Sequence, residues 1–109
     1  MFHSKIAGVG HYVPKRVVSN EELTKYMETS DVWIEERTGI KERRFFEEGV
    51  DTVSGMAAYA SKIALERAGI KVKEIDMIVF ATLSPDYAFP GSGVLLQRIL
   101  GLPGIPALD

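Results

Sequence analysis

The chain has 109 residues, 46% of them apolar and 26% charged, with a formal net charge of −2 and no cysteine. That length fits one small domain with a modest core, and the acidic balance argues against a nucleic-acid surface, which needs a basic surplus. No apolar run reaches a membrane span of about 18 residues, Met1-Phe2-His3-Ser4-Lys5 opens no signal-peptide core, and the missing cysteines exclude disulfides, thiolate metal sites and a cysteine nucleophile within these residues.

Residues Ser4–Val13 predict a strand, with Gly8 and Gly10 where backbone approaches a neighbour closely. Gly8-x-Gly10 is not a dinucleotide loop: Val13 stands where the third glycine of G-x-G-x-x-G belongs, and no helix signal follows. Pro14 ends the strand. Ser19-Asn20-Glu21-Glu22 has the form of a capping box, in which Ser19 accepts an orphan amide and Glu22 reaches back. It opens a short helix with Leu23, Tyr26 and Met27 on one face. Thr29-Ser30-Asp31 offers a second helix start, and Gly39 closes that helix. Residues 40–46 alternate loosely between apolar and charged and predict an edge strand or extended arm, with a turn at Glu47–Val50.

Asp51-Thr52 caps the longest predicted helix, Val53–Ala68. Val53, Met56, Ala57, Ala60, Ile63, Ala64 and Ala68 recur on it at helical spacing, and its small residues allow close approach to a sheet or partner helix. Gly69 is its stop. Residues 75–83, I-D-M-I-V-F-A-T-L, predict a parallel-sheet strand buried on both faces. Ser84–Gly93 is a loop in which Asp86, next to Pro85, suits turn chemistry. A helix Val94–Leu100 closed by Gly101 follows, and Ile105–Asp109 begins another strand. The order is that of an α/β protein with helices covering a sheet.

The segment with the most chemistry is D-V-W-I-E-E-R-T-G-I-K-E-R, residues 31–43. Trp33 and Arg37 are four apart and share a helix face. An indole stacks on an aromatic base, and a guanidinium fork binds phosphate oxygens. The plainer alternative, an indole packed in a core beside a solvated arginine, is the commoner outcome for such a pair on spacing alone. Glu35 and Glu36 flank Arg37 and read as a solvated face. Lys41, Arg43 and Arg44 form a basic cluster offset by Glu42, Glu47 and Glu48, closer to a solvated arm than to a docking patch. His3 and His11 stand far from any metal-ligand set, so no metal site is predicted.

The same segment resembles D-x-W-I-x-x-R-T-G-I-x-x-R of β-ketoacyl-acyl-carrier-protein synthase III, the thiolase-fold enzyme that starts type II fatty-acid synthesis. Lys5–Pro14 resembles that family's first strand, Ala88-Phe89-Pro90 its A-F-P, and Pro106–Asp109 the strand before its catalytic cysteine. The resemblance implies that residues 1–109 are a partial N-terminal thiolase-like domain, a mixed sheet covered by helices. It puts the cysteine a few residues beyond Asp109 and the catalytic histidine and asparagine far downstream, so these 109 residues are expected to be inactive alone. It implies that Trp33 stacks on the adenine of coenzyme A and that Arg37 contacts the nucleotide. Thr29 would line the same mouth, its alternative being a helix cap. Phe89 would close the acyl pocket across a homodimer, its alternative being a plug in its own loop. The implied reaction condenses an acyl-CoA primer, expected to be acetyl-CoA, with malonyl-acyl-carrier protein in the cytoplasm. Coenzyme A is substrate there, and no separate cofactor is expected. Two other readings stay open: a related thiolase-fold condensing enzyme of secondary metabolism, and a non-catalytic α/β module that binds a nucleotide or a partner protein.

Overall fold

A computed structural model describes all of residues 1–109, as two compact units: Val13–Val50, and Met1–Tyr12 together with Asp51–Asp109. In the first unit, β1 (Arg16–Ser19) pairs antiparallel with β2 (Glu42–Phe45), Val18 opposite Arg43 and Ser19 opposite Glu42. This β2 is the predicted edge strand; β1 was not foreseen, because Pro14 reads as a terminator rather than a turn into a strand. Val18 is fully buried. The Arg16 guanidinium lies over the Phe45 ring, 5.7 Å from its centroid.

Helix α1 (Asn20–Leu23) has half of the predicted capping box. The Ser19 hydroxyl accepts from the Glu22 amide at 3.1 Å, but the Glu22 carboxylate turns to Arg16 Nη2 at 2.8 Å. The helix also stops after one turn, where the Thr24 hydroxyl donates to the Glu21 carbonyl at 2.6 Å. Tyr26 and Met27, expected to share a helix face with Leu23, lie beyond the helix and are exposed. Helix α2 (Asp31–Thr38) runs as predicted: the Ser30 hydroxyl accepts from the Trp33 amide, and Gly39 closes it with φ at 71°.

In the second unit, α3 (Val53–Ala68) matches its predicted bounds. Thr52 Oγ1 accepts from the Gly55 amide at 3.0 Å, and Gly69 takes φ of 68°. The predicted strand over Ser4–Val13 is absent. Residues 1–109 contain no ladder partner for it, and its backbone lies on α3 instead. A Cβ on Gly8 would collide with the Ala64 carbonyl, and one on Gly10 with the Ala60 carbonyl. The close approach foreseen at these glycines is thus made to the small-residue stripe of α3. Arg67 Nη1 donates to the Val9 carbonyl at 3.1 Å, and Tyr12 stacks on Tyr59 with centroids 4.9 Å apart.

Strands β3 (Ile78–Val79) and β4 (Ala107–Leu108) pair in parallel. The long buried strand predicted over 75–83 is therefore only two residues long, because its only ladder partner is equally short. It is covered on one face: Ile78 is buried with Ala58 of α3 and Leu96 of α4 (Ser92–Leu100), while Val79 is 74% exposed. Helix α4 starts two residues earlier than predicted. Asp109 Oδ1 accepts from the Gly93 amide at 2.6 Å, tying the strand end to the helix start. The space a Cβ on Gly91 would need is filled by the Asp109 carboxylate. Gln97 Nε2 donates to the Leu102 and Ile105 carbonyls at 2.7 and 2.8 Å, anchoring the turn after α4.

Candidate functional site

Trp33 is 54% exposed, so the core-packed alternative does not hold in these residues. Only Ile34 of α2 is buried. The helix thus turns one apolar residue inward and presents the indole and Arg37 outward. The guanidinium carbon lies over the indole, 5.2 Å from the ring centroid. The spacing predicted a plate beside a cation; the structure stacks one on the other. Such an exposed contact is worth about 0.5–1 kcal/mol, less than the roughly 1.5–3 kcal/mol of a hydrogen bond to a charged group. A phosphate can therefore draw the guanidinium off the ring.

Glu28, Thr29, Ser30 and Trp33 line a shallow cavity of about 210 Å³. Pockets that swallow a whole small ligand run to roughly 300–1,000 Å³, so this one suits a single ring. Thr29 lines it, and the Thr29 hydroxyl is buried without a hydrogen-bond partner. Its alternative role as helix cap is taken by Ser30. The Glu35 carboxylate stands 3.5 Å from Lys41 Nζ, an exposed pair of small energetic weight. Arg37 has no carboxylate partner.

The basic cluster divides. Arg43 is no solvated arm: its Nη1 donates to the Val18 carbonyl at 3.1 Å, and its Nη2 donates to Asn20 Oδ1. Arg44 Nη1 donates to the Pro14 carbonyl at 3.0 Å. Phe89, in the second unit, is 90% exposed and is not a plug in its own loop.

Asp86 does more than turn chemistry. Its carboxylate accepts from the Val53 and Ser54 amides at 2.7 and 2.9 Å, and from the fully buried Ser92 hydroxyl at 3.1 Å. Burial pushes its pKa up, but bonds from Ser54, Val53 and Ser92 outweigh burial and hold the carboxyl below the ordinary aspartate range. This is a structural knot binding the 84–92 loop to the α3 N-terminus. No local motif announces it, because Asp86 lies 33 residues beyond Val53.

No protein-family model matches the chain. Curated relatives match throughout. β-Ketoacyl-[acyl-carrier-protein] synthase III 1 of Bacillus cereus is 51% identical over 104 residues, 95% of this chain and 33% of that protein. The synthase III of Ehrlichia canis is 48% identical over 109 residues, all of this chain and 34% of its own length. The crystal structure of 3-oxoacyl-[acyl-carrier-protein] synthase III from Aquifex aeolicus superposes with a TM-score of 0.88 at 46% identity, over 96% of this chain and 33% of that one. The priming β-ketosynthase of the R1128 polyketide pathway gives a TM-score of 0.84 at 35% identity, over 96% of this chain and 32% of its own. The chain spans about a third of the length of the relatives it matches. Over that third it is a homologue of β-ketoacyl-[acyl-carrier-protein] synthase III and shares its α/β thiolase-type fold.

Proposed function

We propose that these residues form the coenzyme-A-gripping part of a synthase III type acyltransferase, in a partial N-terminal thiolase-like domain. The substrates are an acyl-CoA primer, acetyl-CoA first, and malonyl-acyl-carrier protein. One observation carries the reading: an exposed indole with an unpaired guanidinium on it, beside a cavity of single-ring size at Thr29, whose buried hydroxyl has no partner. Adenine stacks on the indole face that Arg37 leaves open, Thr29 supplies a hydrogen bond, and Arg37 swings to a phosphate. The acyl group then passes to a cysteine outside these residues, and free coenzyme A leaves. Malonyl carrier protein loses carbon dioxide, and its carbanion attacks the acyl-enzyme. Covalent capture splits one hard condensation into two easier steps. Phe89, standing out into solvent, fits the role of an acyl-pocket wall supplied to a second copy in a homodimer. No helix is long and apolar enough to cross a membrane. On the synthase III reading, the reaction belongs to the cytoplasm.

The test is coenzyme A binding by calorimetry in the full-length protein. Trp33→Ala and Arg37→Ala should each weaken affinity about tenfold, the loss of one good stacking or charge-assisted contact of roughly 1.4 kcal/mol. Unchanged affinity in both variants would overturn the site. A second reading, priming of a polyketide pathway, is favoured by the 35% identity to the R1128 enzyme. The 46% identity to the Aquifex enzyme favours fatty-acid initiation. Primer competition between acetyl-CoA and longer acyl-CoA thioesters separates the two.

A further inference from the structure

Asn20 belongs to no motif, yet it is among the most buried side chains of the molecule, with 1% of its surface exposed. Its amide Nδ2 donates to Asp31 Oδ1 at 2.8 Å and to the Ile40 carbonyl at 2.7 Å. Its Oδ1 accepts from Arg43 Nη2, and its backbone amide donates to the Lys41 carbonyl at 3.2 Å. The amide orientation is chemically determined: a carboxylate and a carbonyl only accept here, and a guanidinium only donates. Both donors and the acceptor of this side chain are therefore used.

Asp31 is the first residue of α2, and Ile40 lies just past its closing Gly39. One side chain therefore holds α2 at both ends. That matters because α2 has only eight residues, about 12 Å of helix, and buries only Ile34. A single apolar anchor leaves the helix free to roll about its axis, and a roll would carry Trp33 and Arg37 away from the cavity at Thr29.

We propose that Asn20 is a positioning residue: its clamp on Asp31 and Ile40 sets the rotation of α2, and with it affinity for the nucleotide end of the acyl-CoA. The proposal rests on the reading of Trp33 and Arg37 as that nucleotide grip. The exposed side of the clamp gives a test that spares the fold. In the full-length protein, Asp31→Ala removes the Nδ2 contact, whereas Asp31→Asn keeps an acceptor oxygen in place. Both remove the same negative charge. Charge loss alone would tighten binding of a phosphate-bearing ligand, so the clamp and plain electrostatics predict opposite signs for Asp31→Ala.

The measurements are calorimetric Kd for coenzyme A and steady-state KM and kcat for acetyl-CoA. Asp31→Ala should raise Kd and KM about fivefold with kcat within twofold, and Asp31→Asn should return both to the parent values or below. Asn20→Ala should lose at least as much as Asp31→Ala; if it does not fold, the Asp31 pair decides alone. Unchanged or tighter binding in Asp31→Ala, with Trp33→Ala clearly weakened, overturns the clamp and leaves the nucleotide grip standing. Unchanged binding in Trp33→Ala and Arg37→Ala overturns the grip itself, and the clamp with it.

Discussion

Arg37 is held over the Trp33 ring by a contact too weak to compete with a phosphate. On the proposed nucleotide grip, its value lies in the fork of donors, not in charge alone. Arg37→Lys keeps the charge but presents a compact ammonium that cannot bind in bidentate fashion. We expect it to recover less than half of the binding energy lost in Arg37→Ala. Raising salt from about 50 to 500 mM should shrink the gap between the lysine variant and alanine, since an exposed point charge is screened. A lysine variant indistinguishable from the parent at both salt concentrations would count against bidentate recognition. Gly10 makes a different demand. Any side chain there meets the Ala60 carbonyl and the Ala64 amide of α3. Gly10→Ala should cost about 1–3 kcal/mol by overpacking, read as a lower midpoint in chemical denaturation.

Helix α3 shows how an element can be legible while its fastening is not. Thr52 and Gly69 mark its ends in the sequence, and the structure keeps both. The first four amides of a helix lack intrahelical partners. Here Val53 and Ser54 donate to Asp86 and Gly55 to the Thr52 hydroxyl, while Met56 begins the helix's own ladder by donating to the Thr52 carbonyl. Asp86→Ala should destabilise the protein by about 1.5–3 kcal/mol, because it strands two amides and the buried Ser92 hydroxyl. The pH dependence follows from the depressed carboxyl pKa. An aspartate lowered on folding stabilises fully above its unfolded value, and that stability is lost as pH falls through the lower folded value. The parent should therefore lose stability on acidification below about pH 4. Asp86→Asn should be less stable at neutral pH and show a shallower acid limb in urea titrations. Parallel acid limbs would remove Asp86 as the source.

Across the molecule, the buried apolar core is confined to Val18, Ile34, Ala58, Ile78, Leu96 and Leu102. Large apolar residues on the outside are far more numerous and include Val79, Leu83, Phe89 and Leu108. The β3–β4 sheet has Val79 and Leu108 exposed on the side away from Ile78, with only two residues of ladder per strand. An apolar sheet surface of this kind pairs with whatever it meets. Residues 1–109 produced alone are expected to self-associate, and light scattering coupled to size exclusion will show it. A sharp monomer peak with cooperative unfolding would contradict this.

The sequence by itself determined the α/β class, the bounds of α3, the cap and stop of α2, and the sharing of one helix face by Trp33 and Arg37. These are local matters: a hydroxyl three residues before an amide, a glycine at positive φ, two side chains one turn apart. Only the tertiary structure decided that Ser4–Val13 lies on α3 rather than in a ladder, since a strand exists only with a partner. It also decided that the 75–83 run is covered on one face. The same holds for Asn20 and Asp86, whose partners lie 6 to 33 residues away in the chain. A buried amide or carboxylate finds its role through groups that the fold brings to it, and no local spacing encodes those.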